Sequence, residues 1–380
     1  MSILLLIIIL STIFIQRKPK FCFSLPQDGS YLSHERTNII NAIFITIIVL
    51  RHIHQQIVPF FGIDVWYNTY FNGPAGQSIV STFFFYSGYG IMLNIIKKKD
   101  KYVKNLIKIR FSKLYVNMAI CAFISAIAYA LCNYTTWEKA FIYAGKTCIG
   151  LGGLWFIVMT LALYITTWLS FRLLSTKYPV SAIVLSALLI YIICILLIPY
   201  KPSWWLDTEI CFPCGMLLAI YREKLDKILI KTRIPIICIG IVTLCIGWIA
   251  MLHCFRMCTF ISSAYGFITT KCQLYWGISP YAVWNLLYPL CTVIYVMGIT
   301  WCFASIQWQH HNKFLVWLGG PAVFYIFCLH FIPIRMFEVL GTHKAFPCLT
   351  IIGIVLTSLG IAYIAHKLIP RIDKIFFTSK

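Results

Sequence analysis

R-T-N-I-I-N-A-I-F-I-T-I-I-V-L-R-H-I-H, residues 36–54, decides how this chain is read. The run is long and apolar enough for a membrane helix, yet it carries Asn41 in its first half and His52 in its second. An ionisable side chain at membrane depth is costly and marks a functional candidate. Eleven residues separate Asn41 from His52, about three helical turns, so both lie on one face roughly 16 Å apart. His54 points elsewhere, about 200° round. One polar stripe ending in a histidine suggests the wall of a reaction chamber. The plainer reading is that Asn41 and His52 make hydrogen bonds between helices.

The rest of the chain agrees with a membrane setting. Of 380 residues, 60% are hydrophobic and 11% charged, and the mean hydropathy is +0.83. Soluble domains have about 25% charged residues. The expected fold is an all-α polytopic helix bundle. Candidate spans are a short first helix over 3–15, then 38–58, 77–96, 114–132, 143–168, 179–199, 208–221, 234–253, 283–304, 317–335 and 348–368. The first lacks a basic n-region and a small-residue cleavage site, so it reads as a helix and not as a signal peptide. The longest polar connection runs from Cys254 to Tyr281.

Alternate loops hold 24 of the 32 Lys and Arg residues and the other set holds 7, with Arg51 inside a helix. Basic loops face the cytoplasm. The eleven-helix arrangement then has its N-terminus outside and its C-terminus in the cytoplasm, with His52 in the outer half of its helix. The net charge of +21 reads as positive-inside loops and attraction to anionic lipid or substrate, not to nucleic acid. Most of the 16 cysteines sit in apolar runs and act as small hydrophobes. Cys211-Phe-Pro-Cys214 lies at a helix start without the strand context of a redox motif. Cys254, Cys258 and Cys272 share an outer loop in this reading, where one disulfide could form. No metal site is expected.

Two further stretches carry chemistry. F-F-F-Y-S-G-Y-G-I, residues 83–91, sets Ser87 and two glycines among aromatics. Small residues let a backbone or a ligand come close, and ordinary helix packing is the plainer reading. K-K-K-D-K-Y-V-K-N-L-I-K-I-R-F-S-K-L-Y, residues 97–115, is mostly a solvated basic face. Arg110 and Lys113, spaced i, i+3 at the mouth of the next helix, could together hold phosphates or a carboxylate.

In order and spacing these pieces resemble the acyltransferase-3 family of integral membrane acyltransferases. N-A-I-F-I-T-I-I-V-L-R-H places His52 where the family has its essential helix histidine. F-F-F-Y-S-G-Y-G-I is similar to its aromatic-Ser-Gly-aromatic signature, and R-F-S-K-L-Y, Arg110 to Tyr115, to its R-x-x-R-x-Y element. L-W-F-I-V-M-T-L-A-L-Y, from Leu154, and Y-I-F-C-L-H-F-I-P-I, from Tyr325, resemble later helices. The resemblance implies a ten-helix core over residues 36–370, with residues 1–20 as an extra N-terminal helix. Two positions depart from it. Asn41 stands where many members carry Arg or Lys, and Lys113 keeps charge without the planar guanidinium fork.

What the resemblance implies is an O-acyltransferase, most often an acetyltransferase, of a bacterial-type inner membrane. The donor would be cytoplasmic acyl-CoA, with no permanently bound cofactor. The acceptor would be a hydroxyl of a saccharide, glycolipid or lipid-linked molecule. Arg110 and Lys113 would hold the CoA phosphates, and the pantetheine arm would pass Ser87 and Asn41. His52 would act as general base or acyl relay, with Trp155 and His330 lining the site. The competing class is a transporter or flippase of lipid-linked saccharide, against which stand the lack of an internal repeat and the scarcity of acidic residues in the spans.

Overall fold

The structure, a computed structural model, describes residues 30–59, 76–197, 205–271, 280–307 and 312–377, with Ile7, Lys20, Phe21, Leu25, Pro26, Asp64, Val65 and Asn68 besides. Apart from Ile7, the expected helix over 3–15 lies outside the described residues, as does Cys272. What remains is an all-α bundle, and the chain is a multi-pass membrane protein. Among the described residues, eight helical stretches are long and apolar enough to cross a bilayer. The only strand pairing among the described residues is two residues long, β1 (Lys20–Phe21) against β2 (Ile306–Gln307), antiparallel.

The key stretch forms α1 (His34–Gln56), whose start is set by Ser33 accepting from the Arg36 amide at 3.4 Å. Next come α2 (Gly76–Leu106), a π-helical turn (Ile107–Ser112) and α3 (Lys113–Leu131). Lys99 adopts φ 48°, a backbone state that kinks α2 inside its basic run. Then follow α4 (Trp137–Cys148), α5 (Trp155–Leu174), α6 (Pro179–Leu197), α7 (Cys211–Lys231), α8 (Ile236–Lys271) and α9 (Pro280–Ala304). The chain ends with the short α10 (Lys313–Leu318), α11 (Pro321–Leu329), α12 (Phe331–Leu340), α13 (Thr342–Ala345) and the long α14 (Pro347–Phe377).

Several of the expected boundaries fail, among them 317–335, which divides into α10, α11 and α12. The span over 143–168 is broken between α4 and α5, where Gly150 takes φ +80°. That left-handed state suits glycine and ends a helix. Cys254 to Tyr281 is no loop at its start, because α8 runs on to Lys271. Hydropathy marks where a helix leaves the lipid, not where it stops being helical. Cys254 and Cys258 therefore sit one turn apart on α8, both buried as free thiols with sulfurs 3.9 Å apart.

The core joins α1, α2, α5, α7 and α11, with Phe84, Phe85, Phe171 and Phe212 among the most deeply buried side chains. Large apolar residues such as Leu131, Leu173, Leu196 and Leu356 stay exposed, as lipid-facing positions must. No apolar drive separates helices from lipid tails, so close packing does much of the work. Gly88 of α2 and Gly215 of α7 supply it. A methyl group at Gly88 would collide with the Phe212 carbonyl oxygen, and one at Gly215 with that of Phe85. The small residue in F-F-F-Y-S-G-Y-G-I thus brings two backbones together.

Candidate active site

His52 lies near the end of α1, in the wall of a cavity of about 480 Å³. The cavity is bounded by α1, the start of α2, the start of α5 and the junction of α11 with α12. Trp155 and His330 line it too, so three of the seven expected site residues meet here.

The junction follows from local sequence. In L-H-F-I-P, Pro333 has no N–H for the carbonyl of Leu329, and its ring crowds that position. The helix breaks at His330, which closes α11 and precedes α12. His330 is 1% exposed. Its Nδ1 lies 2.8 Å from the Ile326 carbonyl and 3.0 Å from that of Phe327. Its Nε2 lies 2.6 Å from Nδ1 of His52. The ring centroids are 4.9 Å apart with planes 13° apart. The rings meet edge to edge, the geometry of an N–H···N hydrogen bond.

Proton bookkeeping then assigns the tautomers of the neutral pair. A carbonyl oxygen only accepts, so Nδ1 of His330 carries its proton and Nε2 presents a lone pair. Nδ1 of His52 must donate to that lone pair. The proton of His52 is thereby placed on the inner nitrogen, and Nε2 is left with its lone pair. Phe331, with its centroid 5.0 Å from that of His52, packs on the ring and limits its rotation. Chemically this is a base oriented by a second group, whose own proton is anchored on backbone.

His54 is placed differently. Its side chain is buried, with Nδ1 donating to the Val58 carbonyl at 2.8 Å and Nε2 3.9 Å from Asp64. It does not line the cavity.

Asn41, Ser87, Arg110 and Lys113 do not line the His52 cavity. Asn41 keeps a buried Oδ1 with no hydrogen-bond partner among the described residues. Ser87 lies 3.5 Å from the Tyr164 hydroxyl. Arg110 donates from Nε to the Tyr102 hydroxyl at 3.1 Å. Ser87 and Tyr164 thus face each other between α2 and α5. Arg110 lies in the π-helical turn and Lys113 begins α3. The widened turn alters the α-helical spacing that would put the two on one face, and such turns are frequent at functional sites.

Trp155 is the first residue of α5, and its ring lies 6.3 Å from that of Trp205, tilted by 34°. Gln55, Gln56, Gln77 and Gly153 line the cavity without having been singled out from sequence, and Arg51, noted there only as the basic residue inside the helix, lines it too. The polar pair Gln55–Gln56 directly after the histidines was the readable signal. Gly153 and Gln77 carry none of their own.

The acyltransferase-3 family, whose description is an acyltransferase domain, matches residues 37–367. The chain belongs to this family. Its match begins at the start of α1 and ends within α14, so it takes in every helix that builds the cavity. No curated protein and no solved structure shows a significant match to the chain. Membership makes this membrane protein an acyltransferase by family.

Proposed function

We propose that the protein is an O-acyltransferase, in the first instance an O-acetyltransferase, of the cell's inner membrane. The observation that carries this reading is the His52–His330 pair, which leaves Nε2 of His52 with a lone pair in a cavity of about 480 Å³. A buried base oriented by a second group is the arrangement that acyl transfer to a hydroxyl needs.

The donor is acyl-CoA, arriving from the cytoplasmic side at Arg110 and Lys113. The pantetheine arm runs past the facing hydroxyls of Tyr164 and Ser87 toward Asn41 and His52. The acceptor is a hydroxyl of a saccharide or lipid-linked saccharide on the outer side. His52 Nε2 takes the hydroxyl proton as the oxygen attacks the acyl carbonyl carbon. The C–O ester bond forms, the C–S bond breaks, and the proton passes to the leaving CoA thiolate. His330 accepts from Nδ1–H throughout and supports the transient positive charge on His52.

Purified, reconstituted protein supplied with acetyl-CoA tests this. Release of free CoA that requires an acceptor extract, and that disappears in His52→Ala at equal membrane insertion, is the expected result. Acceptor-dependent release in His52→Ala at the wild-type rate would remove the catalytic assignment.

A further inference from the structure

Beside the His52 cavity lies a second one of about 400 Å³, between α3, α4 and α12. The two share Gln56, Gly153, Leu154 and Phe331 as a common wall. Nothing in the donor route reaches this second space. Its lining is distinctive. Tyr129 and Tyr134 meet edge to face at 5.7 Å, and Tyr143 lies 6.4 Å from Tyr129. None of these three hydroxyls has a protein hydrogen-bond partner among the described residues. Arg335 is held in place by the ring of Tyr134 at 4.9 Å, by Gln56 at 2.8 Å and by Glu338 at 2.7 Å.

Ring faces beside unsatisfied hydroxyls suit a ligand that is apolar on its faces and polar on its rim. A sugar ring has that distribution: C–H groups on its faces, hydroxyls round its edge. Charge narrows the class. The charged residues lining the cavity are Lys139 and Arg335, and no carboxylate lines it. Glu338 balances Arg335, which leaves Lys139 to favour a negative group on the ligand.

Gly153 belongs to the wall that the two cavities share. A side chain there would meet the Tyr143 hydroxyl, so a larger residue would fill space between the two cavities.

We infer that the second cavity is the acceptor subsite. It seats a sugar ring of an acidic saccharide against Tyr129, Tyr134 and Tyr143, sets the negative group toward Lys139, and delivers a hydroxyl past Gly153 to His52. This deepens the acyltransferase reading and rests on it.

The test uses membranes from cells making the full chain, given radiolabelled acetyl-CoA. Base-labile label is followed in the endogenous acceptor, with methyl glucuronide and methyl glucoside as competing probes. Transfer in wild type should be inhibited more strongly by the acidic glycoside. Lys139→Glu should weaken that inhibition by about threefold to tenfold, the effect of one contact's change of charge near the surface. Gly153→Val should cut transfer by about tenfold or more while the apparent KM for acetyl-CoA stays unchanged. Equal inhibition by both glycosides, label confined to a lipid without sugar, or normal transfer in Gly153→Val at normal protein level would each overturn the inference alone. Absence of any acetyl incorporation in wild type would bring down the acetyl-CoA reading, and the inference with it. Tyr143→Phe, which keeps the ring and the packing, separates a lost contact from a lost fold: it should lower transfer without lowering the amount of inserted protein.

Discussion

Replacing His330 by Phe isolates what the second histidine contributes. The ring and its packing against Phe327 and Phe331 persist. What disappears is the lone pair that accepts from Nδ1 of His52 across 2.6 Å. His52 is then free to hold its proton on either nitrogen and to turn, and a buried donor is left unsatisfied. Such a loss costs about 1–3 kcal/mol, and each 1.4 kcal/mol is about tenfold. The turnover number should therefore fall by about fivefold to 150-fold. His52→Ala removes the base itself and should lose about 10²–10⁴. The apparent KM for acetyl-CoA should be unchanged in His330→Phe, since the donor contacts lie elsewhere. His330→Gln is the decisive companion, because its side-chain carbonyl can accept the same hydrogen bond and should recover much of the rate. The double variant with His52→Ala should be no worse than His52→Ala alone, as expected for groups that act as a unit. The assay is CoA release per inserted protein molecule. Wild-type turnover in His330→Phe, or equal losses in Phe and Gln variants, would refute the orienting role.

Four further outcomes follow from other parts of the molecule. Arg110→Ala or Lys113→Ala should raise the apparent KM for acetyl-CoA by about tenfold to a hundredfold, the worth of a charge-assisted contact; a flat KM in both places the phosphates elsewhere. Gly88→Ala should destabilise the α2–α7 contact by about 1–3 kcal/mol through overpacking, seen as a lower thermal midpoint in detergent, and an unchanged midpoint would count against close backbone packing. Burial pushes the Asp207 carboxyl up to about 7. This acid binds its proton more tightly folded than unfolded, so its stability contribution is full below the ordinary carboxylate range and is lost as pH rises toward 7. The thermal midpoint should fall across that window, Asp207→Asn should flatten the fall, and a midpoint that climbs with pH would contradict the burial argument. A reporter fused after Lys104 should read cytoplasmic and one near Ser262 external, from the 24-to-7 division of basic residues between loops; both on one side would overturn the orientation and the donor route with it.

Much was legible in the sequence. A bilayer demands long apolar segments with internally satisfied backbone, so the all-α membrane bundle could be read directly from hydropathy. The order of motifs from Asn41 to Ile334 pointed to the family, because each motif carries its own residue types at fixed spacing. His52 could be singled out because a titratable group in such a helix is rare enough to demand a reason. That His54 faces elsewhere followed from helical periodicity alone.

Other features depended on contacts between residues far apart in the chain, about which local pattern is silent. The helix break at 149–154 and the run of α8 to Lys271 turn on backbone conformation, which hydropathy does not register. Gly88 could equally have served a ligand or a neighbouring helix, and only the position of Phe212 shows which backbone it admits. His330 lies 278 residues from His52. Its backbone carbonyl partners are local, but the lone pair they aim is useful only because α1 and the α11–α12 junction pack together. A histidine in a sequence has two nitrogens and no stated proton; the tertiary structure decided which one is left to react, because tautomer is set by what each nitrogen touches.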